Sequence, residues 1–281
     1  MIIVIAVASL LLVLMLIIIA TRTPAENYTD EAGPVYSGSY AEEPATFDGS
    51  LKVVCWNLNF ATRVDKAIDE FRKTPELRDA DIILLQEMDE DGVEKVAQSL
   101  GYNYIYYPAA VHRRYNRKFG NAILSKWPLS DPQKIILSDS YGGLKHNRIT
   151  TRALVDLGEQ QIAAYSVHLD MVWMLPGQNE TPLDVLVHRV GMEDVSTVVG
   201  GDFNSWSSGS IEMLDERFGE IGLQRVSQGS GPTLETFGGL QLTTDHIFAS
   251  EIFKSQTGIW PQPKVSDHSA VWAILSIEEA E

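Results

Sequence analysis

The chain has a single cysteine, Cys55, among 281 residues. That excludes an intrachain disulfide and a thiolate zinc site, which needs several ligands at short spacing. The lone thiol leaves the compartment open. The chain also lacks a G-x-S-x-G nucleophile elbow and an H-E-x-x-H helix, so neither a strand-to-helix serine nor a zinc-protease helix is available. Basic residues are scarce, with 22 Lys and Arg against 38 Asp and Glu, a net charge of −16. Such a surface repels polyanions at long range, so a general nucleic-acid-binding surface is disfavoured unless a local basic patch overrides it. No internal repeat at fixed spacing is visible.

The length suits one large domain with a tail, or two small domains. The hydrophobic content of 44% supports a sizeable core. Residues 2–20 are apolar apart from Ser9 and carry no charge. As a helix this stretch nearly spans the hydrocarbon core of a bilayer. No Lys or Arg precedes it and no small-x-small cleavage site ends it. An uncleaved anchor is favoured over a cleaved signal peptide, with a buried core helix third. Residues 1–22 are therefore read as a transmembrane anchor or signal segment, and 23–50, with Pro24, Pro34 and Pro44 among Gly, Ser and acids, as a flexible linker. The domain is placed at 51–281.

Within it, apolar runs and helical stripes alternate. Leu51–Leu58, Asp81–Gln86, Tyr102–Tyr107 and Gly120–Ser125 read as strands, as do Thr151–Leu157, Gln161–His168, Val198–Asp202, Thr244–Phe248 and Ser269–Ile277. Stripes at Val64–Phe71, Val93–Leu100, Leu183–Val190 and Ile211–Phe218 read as helices. Thr62 with Asp65 resembles a capping box, and Ser210 is a candidate cap. Ile135–Arg148 looks irregular. The mixture of hairpins and crossovers predicts a mixed sheet with layered helices.

The stretch Val198-Val199-Gly200-Gly201-Asp202-Phe203-Asn204 organises the rest. A buried strand there carries Asp202 and Asn204 off its end on one side, because side chains alternate. The two glycines let another segment or a ligand approach the backbone. Other apolar runs also end in, or follow, groups able to hold metal or phosphate: Asn57, Glu87, His168, Asp245 and the Asp267-His268 pair. One polar residue at a strand end is usually a turn residue. Repetition at nearly every strand end fits a site where loops converge.

Trp56-Asn57, Leu85-Gln86-Glu87, Gly201-Asp202-Phe203-Asn204, Thr244-Asp245-His246 and Ser266-Asp267-His268 occur in this order. Together with Gly120–Ser125 and Val167-His168-Leu169, the set resembles the endonuclease/exonuclease/phosphatase superfamily from Leu51 to about Ile277. The resemblance implies an α/β (α+β) fold: a four-layer α/β/β/α sandwich with two packed mixed β-sheets, here preceded by one N-terminal hydrophobic helix. It also implies divalent-metal-dependent hydrolysis of a phosphodiester or phosphomonoester, with Mg²⁺ as cofactor and Mn²⁺ as its substitute. Glu87, Asn57 and Asp267 are the candidate metal residues. His268, Asp245, Asp202 and His168 are the catalytic candidates: His268 as general base or phosphate stabiliser, Asp245 as its orienting partner, Asp202 on water and His168 as general acid. Asn204, Asn57 and Arg117 are candidates for phosphate binding. Asn59 stands where some relatives carry a second metal-site acid.

The chemistry agrees with this assignment, because hydrolysing a phosphate ester requires charge neutralisation, an activated water and a stabilised leaving oxygen. Two alternatives stay open: a DNA or RNA endonuclease of the deoxyribonuclease I type, and a catalytically silent module that binds phosphorylated ligands. The basic run Arg113–Lys118 supports the nuclease and the net charge opposes it. The substrate class, whether phospholipid, inositol phosphate or nucleic acid, stays open. The expected setting is a membrane partner through the N-terminal segment, with the catalytic domain extracytoplasmic, or a secreted domain if residues 1–22 are cleaved; no protein partner is evident. His112, His146 and His188 have no motif around them, and His246, next to Asp245, should face the opposite side of its strand. Arg148 and Arg152 read equally well as phosphate contacts or as a solvated pair.

Overall fold

The computed structural model describes residues 23–42, 46–138, 145–170, 181–236, 238–261 and 264–277. The expected membrane segment at 1–22 lies outside these residues. Among the described residues, no helix is long and apolar enough to cross a membrane.

The first sheet contains β1 (Pro24–Asn27), β2 (Tyr36–Gly38), β3 (Ser50–Asn57), β4 (Ile82–Met88), β5 (Asn103–His112), β6 (Arg117–Ser125), β15 (Phe253–Trp260) and β16 (Ala270–Ile277). Its order is β1-β5-β6-β4-β3-β16-β15, with β2 also paired to β5. The second contains β7 (Leu129–Ser138), β8 (Arg148–Asp156), β9 (Gln161–His168), β10 (Thr197–Asp202), β11 (Leu223–Arg225) and β14 (Asp245–Ser250), in the order β11-β14-β10-β9-β8-β7. A small hairpin joins β12 (Leu234–Glu235) to β13 (Gln241–Leu242). Four helices complete the description: α1 (Val64–Lys73), α2 (Glu90–Leu100), α3 (Pro182–Val190) and α4 (Ser208–Gly219).

Strand alternation builds the layers. In β3, Val53 and Cys55 enter the core between the sheets, beside Leu84, Ala164, Val198 and Ile247. Val54 and Trp56 point the other way, into a core with Phe71 of α1 and Val93 and Val96 of α2. Val199 of β10 and Phe248 of β14 likewise face Leu186 of α3 and Phe218 of α4. The result is the four-layer sandwich that the family resemblance implied, with continuous apolar runs wherever a strand is covered on both faces.

Several local expectations are corrected. Residues 23–50 are not a linker throughout: β1 and β2 pair with β5 and cover part of its otherwise open edge. Backbone pairing of this kind depends little on side-chain pattern, so composition did not reveal it. The Thr62–Asp65 capping box does not form; α1 starts from Arg63, and the Thr62 hydroxyl donates to the Asn59 carbonyl. Ser207, not Ser210, caps α4, and Ser210 is the third residue of that capping box. Residues 135–138 of the stretch read as irregular belong to β7, which pairs with β8.

The glycine pair has the expected use. A Cβ at Gly201 would lie 1.9 Å from the Val167 carbonyl oxygen of β9, and one at Gly200 would lie 2.7 Å from Leu84 Cδ1 across the sheet seam. The first clash is with backbone and the second with a side-chain end. Gly201→Ala is therefore expected to cost about 3 kcal/mol or more, and Gly200→Ala about 1–2 kcal/mol. Urea denaturation midpoints of the two variants would check this order.

Candidate active site

The same alternation assembles the site. Asn57 shares the inner face of β3 with Val53 and Cys55, and Asp202 shares the inner face of β10 with Val198 and Gly200. They meet across the seam, with Asn57 Nδ2 donating to Asp202 Oδ2 at 3.0 Å. His168 lies beside Asp202 in the β9–β10 register, and Asp245 lies opposite Asp202 in the β10–β14 register. Below them, Gln86 Nε2 donates to the Ser166 hydroxyl at 2.9 Å and closes the top of the apolar core.

His268 and Asp245 form a close pair, His268 Nδ1 to Asp245 Oδ2 at 2.8 Å. The same oxygen accepts from the hydroxyls of Thr233 at 2.7 Å and Thr244 at 2.9 Å. The other face of the ring looks toward Asp202, Nε2 to Oδ2 at 3.8 Å. Burial alone would lower the His268 pKa, but Asp245 and then Asp202 outweigh it and raise it to about 10. Burial raises Asp202 to about 7, against the pull of His268. The protonated imidazole and the reluctant carboxylate thus share one buried site. The His268 loop is pinned by Trp56 Nε1, which donates to the His268 carbonyl, and by the Ser266 hydroxyl, which donates to the Asn57 carbonyl.

His168 is set up differently. Burial first, then Arg148 and His268, push its pKa well below the ordinary histidine value. Arg148 Nη1 lies 3.3 Å from its Nδ1. A guanidinium only donates, so Nδ1 accepts and the neutral ring carries its proton on Nε2. That Nε2 lies 3.5 Å from Asp202 Oδ2 and 3.9 Å from Glu87 Oε1.

Glu87 breaks the strand pattern, with φ of +57°. Asn59, Phe60 and Ala61 are also left-handed, and their turn aims the Phe60 N–H at Glu87 Oε2, 3.1 Å away. Burial raises the Glu87 pKa, while Arg148 and His268 lower it. Asp267 is exposed and accepts from Asn59 Nδ2 at 2.8 Å, so Asn59 orients this acid instead of supplying one. Asn204, at φ +49°, spends its side-chain N–H on the Leu169 carbonyl, and its backbone N–H donates to Asp202.

A divalent cation fits this donor set. Glu87 is a half-buried carboxylate raised by its own desolvation, and Asp245 Oδ1 is buried with no hydrogen-bond partner. Two arrangements offer ligands. Oxygen and nitrogen atoms of Asp202, Asp245 and His268 lie within 4.8 Å of one another. Glu87, with Asn57 and Asp267 nearby, offers oxygen ligands alone, the set a hard cation such as Mg²⁺ prefers. His268 Nδ1 is already occupied by Asp245 and its Nε2 is protonated with the raised pKa, so the second arrangement fits better.

Not every expected residue joins the cluster. Both terminal nitrogens of Arg117 are engaged, Nη1 with Asp89 at 2.8 Å and Nη2 with the Phe60 carbonyl at 2.9 Å. Arg117 therefore supports the turn that holds Glu87 rather than offering a free phosphate contact. His246 faces the helix side, 3.0 Å from the Ser205 hydroxyl. Arg152 is buried against Glu193 and Asp131, whereas Arg148 reaches the site. Thr233 was missed, and its position in a glycine-flanked loop carries no sequence signal of its role.

These features form a candidate metal site of acids and histidines at the strand ends of a two-sheet sandwich. A family model for the Endonuclease/Exonuclease/phosphatase family matches residues 54–268, and the chain belongs to that family. A search of curated proteins gives no match. Among solved structures, the chain is similar to an endonuclease/exonuclease/phosphatase family protein from Leptotrichia buccalis, at 15% identity over 82% of this chain and 100% of that one, TM-score 0.65. A Bacteroides vulgatus endonuclease/exonuclease/phosphatase is 18% identical over 82% and 99%, TM-score 0.65. Truncated TDP2 from Caenorhabditis elegans is 17% identical over 83% and 100%, TM-score 0.60. At these identities the likeness concerns the fold.

The pKa shifts predict how the metal-free protein responds to pH. Asp202 has its folded pKa raised from 3.8 to about 7, so deprotonation costs stability as pH rises through that interval. His268 is raised from 6.5 to about 10, so its contribution is full below 6.5 and is lost as pH rises through about 10. Asp245→Asn should lower the His268 pKa by about 1–3 units. It should also flatten the fall in stability between about pH 6 and pH 9. NMR titration of the imidazole and urea denaturation at both pH values would check the two effects.

Proposed function

We propose that the protein is a divalent-metal-dependent phosphoesterase that hydrolyses its substrate by attack of an activated water. The observation that carries this reading is the buried Asp245–His268 pair facing Asp202 across 3.8 Å, with Asn57, His168 and Glu87 around it. Glu87, with Asn57 and Asp267, would hold the cation. A bound divalent cation would neutralise phosphoryl charge and acidify water.

The chain's own residues divide the remaining work. Asp202, with a pKa near neutrality, is suited to take a proton from the attacking water. His268, kept cationic by Asp245, stabilises negative charge on phosphoryl oxygens and can deliver a proton to the leaving oxygen. Neutral His168 donates from Nε2 to a phosphoryl oxygen, a better fit than the general-acid role read from the sequence. Asn57 orients Asp202, and Asn204 fixes the same carboxylate through its backbone N–H.

A nuclease reading has less support. Of the basic run, Arg117 is paired with Asp89 and Lys118 with Glu90, and the net charge is −16. A polynucleotide surface needs several unpaired cations along a track.

The test is hydrolysis of bis-p-nitrophenyl phosphate with Mg²⁺ or EDTA. Turnover should require the metal. His268→Ala should lower kcat by about 10²–10⁴. Glu87→Gln should weaken Mg²⁺ binding measured by calorimetry. Tight binding of a phosphate-ester analogue with no turnover at any metal concentration would instead identify a silent binding module.

A further inference from the structure

The strands fix which end of the molecule the chain enters. β3, β4, β9 and β10 all run toward the site, ending at Asn57, Met88, His168 and Asp202. The β5–β6 hairpin turns at the same end, because Gly120 of β6 pairs with Met88 and His112 pairs with Arg117. β1 starts there too, with Pro24 opposite His112. Arg113 Nη2 donates to the Pro24 carbonyl at 2.9 Å. The apolar run 2–20 ends four residues before Pro24, a reach of at most about 14 Å. Whatever holds that run lies beside the site end.

The surface around that end suits a lipid interface. Arg113 and Arg114 are exposed, and Arg114 stacks over Tyr115 at 5.5 Å. Among the described residues neither arginine has an ion pair with a carboxylate. Tyr115 packs on Phe60, and His112 and Phe119 continue the ring contacts through His146 to His168. Trp206 is 54% exposed, two residues beyond Asn204. Leu240 is 61% exposed in the turn between β12 and β13, a hairpin tied to the His268 loop by Glu235 N–H to Asp267 carbonyl and by a bridge from Leu234 to His268. Exposed Trp and Leu beside a half-buried Tyr and a few cations are what a bilayer interface binds. Two arginines without a carboxylate partner are too few for a polynucleotide track, yet each adds attraction to an anionic leaflet.

We propose that residues 2–20 enter a bilayer and that the rim formed by Arg113, Arg114, Tyr115, Trp206 and Leu240 docks on the surface of that same bilayer. The site then faces phosphate esters carried by lipid headgroups. This substrate class rests on the phosphoesterase reading; the docking does not.

The experiment uses the full chain in vesicles of phosphatidylcholine and phosphatidylserine. The difference in emission between the protein and Trp206→Phe isolates Trp206 from the other tryptophans. A nitroxide on the lipid headgroup should quench Trp206, and aqueous iodide should not reach it. The double variant Arg114→Glu/Leu240→Glu should lose nitroxide quenching by about threefold or more and keep its turnover of soluble bis-p-nitrophenyl phosphate. Iodide quenching of Trp206 with no effect of the lipid nitroxide would overturn the docking. So would protection of Trp206 by duplex DNA but not by vesicles. Loss of bis-p-nitrophenyl phosphate turnover in the unaltered chain would strike the phosphoesterase reading and leave the quenching result decisive for docking.

Discussion

The hydrogen bond from Asn57 to Asp202 joins the two sheets at the point where their shared apolar core ends. Everything at the site depends on that junction. Below it the seam is packed with apolar residues such as Cys55, Leu84, Val198 and Ile247. Above it sit Asp202, Asp245 and Glu87, carboxylates that water solvates poorly. Burying a charge without compensation is expensive. The chain compensates unevenly. Asp245 Oδ2 receives Thr233, Thr244 and His268, whereas burial holds Asp202 and Glu87 above the usual carboxylate range. That residual cost favours a cation or a proton arriving at the site, and it distinguishes these acids from those on the surface.

Backbone strain gathers at the same place. Asn59, Phe60, Ala61, Glu87 and Asn204 all adopt left-handed φ without being glycine. Such conformations cost about 1 kcal/mol or more each and persist where the surroundings over-determine them. Here the surroundings can be named. The Phe60 N–H holds Glu87, Arg117 holds the Phe60 carbonyl and Asp89, and Asp89 caps α2. The basic hairpin therefore braces the Glu87 turn from outside, and two of its four cations are spent near that turn.

Alternation made the strands, and the polar groups at their ends, legible in the sequence; the four layers and the roles of those groups came from the family resemblance of the ordered motifs. A residue two or four places beyond a core position on a strand lies on the same face, so Asn57 follows Val53 and Cys55 into the seam, and Asp202 follows Val198 and Gly200. The same rule separates Asp245 from His246, which faces the helix side and bonds to Ser205. What was not legible depends on tertiary partners. Thr233 matters only because a loop returns it to Asp245. β1 and β2 form because the edge of β5 is available to them, in a stretch whose prolines and acids read as linker. Arg148 and Arg152 are indistinguishable by type, yet one meets His168 and the other Glu193. They are an even number of places apart on β8, so alternation alone could not separate them.

Two histidines at one site could have been redundant, and their neighbours keep them distinct. His268 has a carboxylate on Nδ1 and a second carboxylate ahead of Nε2, so it is charged. His168 has a guanidinium on Nδ1, so it is neutral with its proton on the opposite nitrogen. If both were charged, two buried cations would repel each other; if both were neutral, Asp202 and Asp245 would lack a buried counter-charge. The assignment also limits what the site can accept. One ring supplies charge and the other a hydrogen bond, both toward Asp202. A group placed among them must therefore bring oxygens that can accept from two imidazoles and lie next to a carboxylate able to take a proton. A phosphoryl group with an attacking water beside it meets those conditions. An isolated carboxylate could use the two donors but would give Asp202 no proton to take.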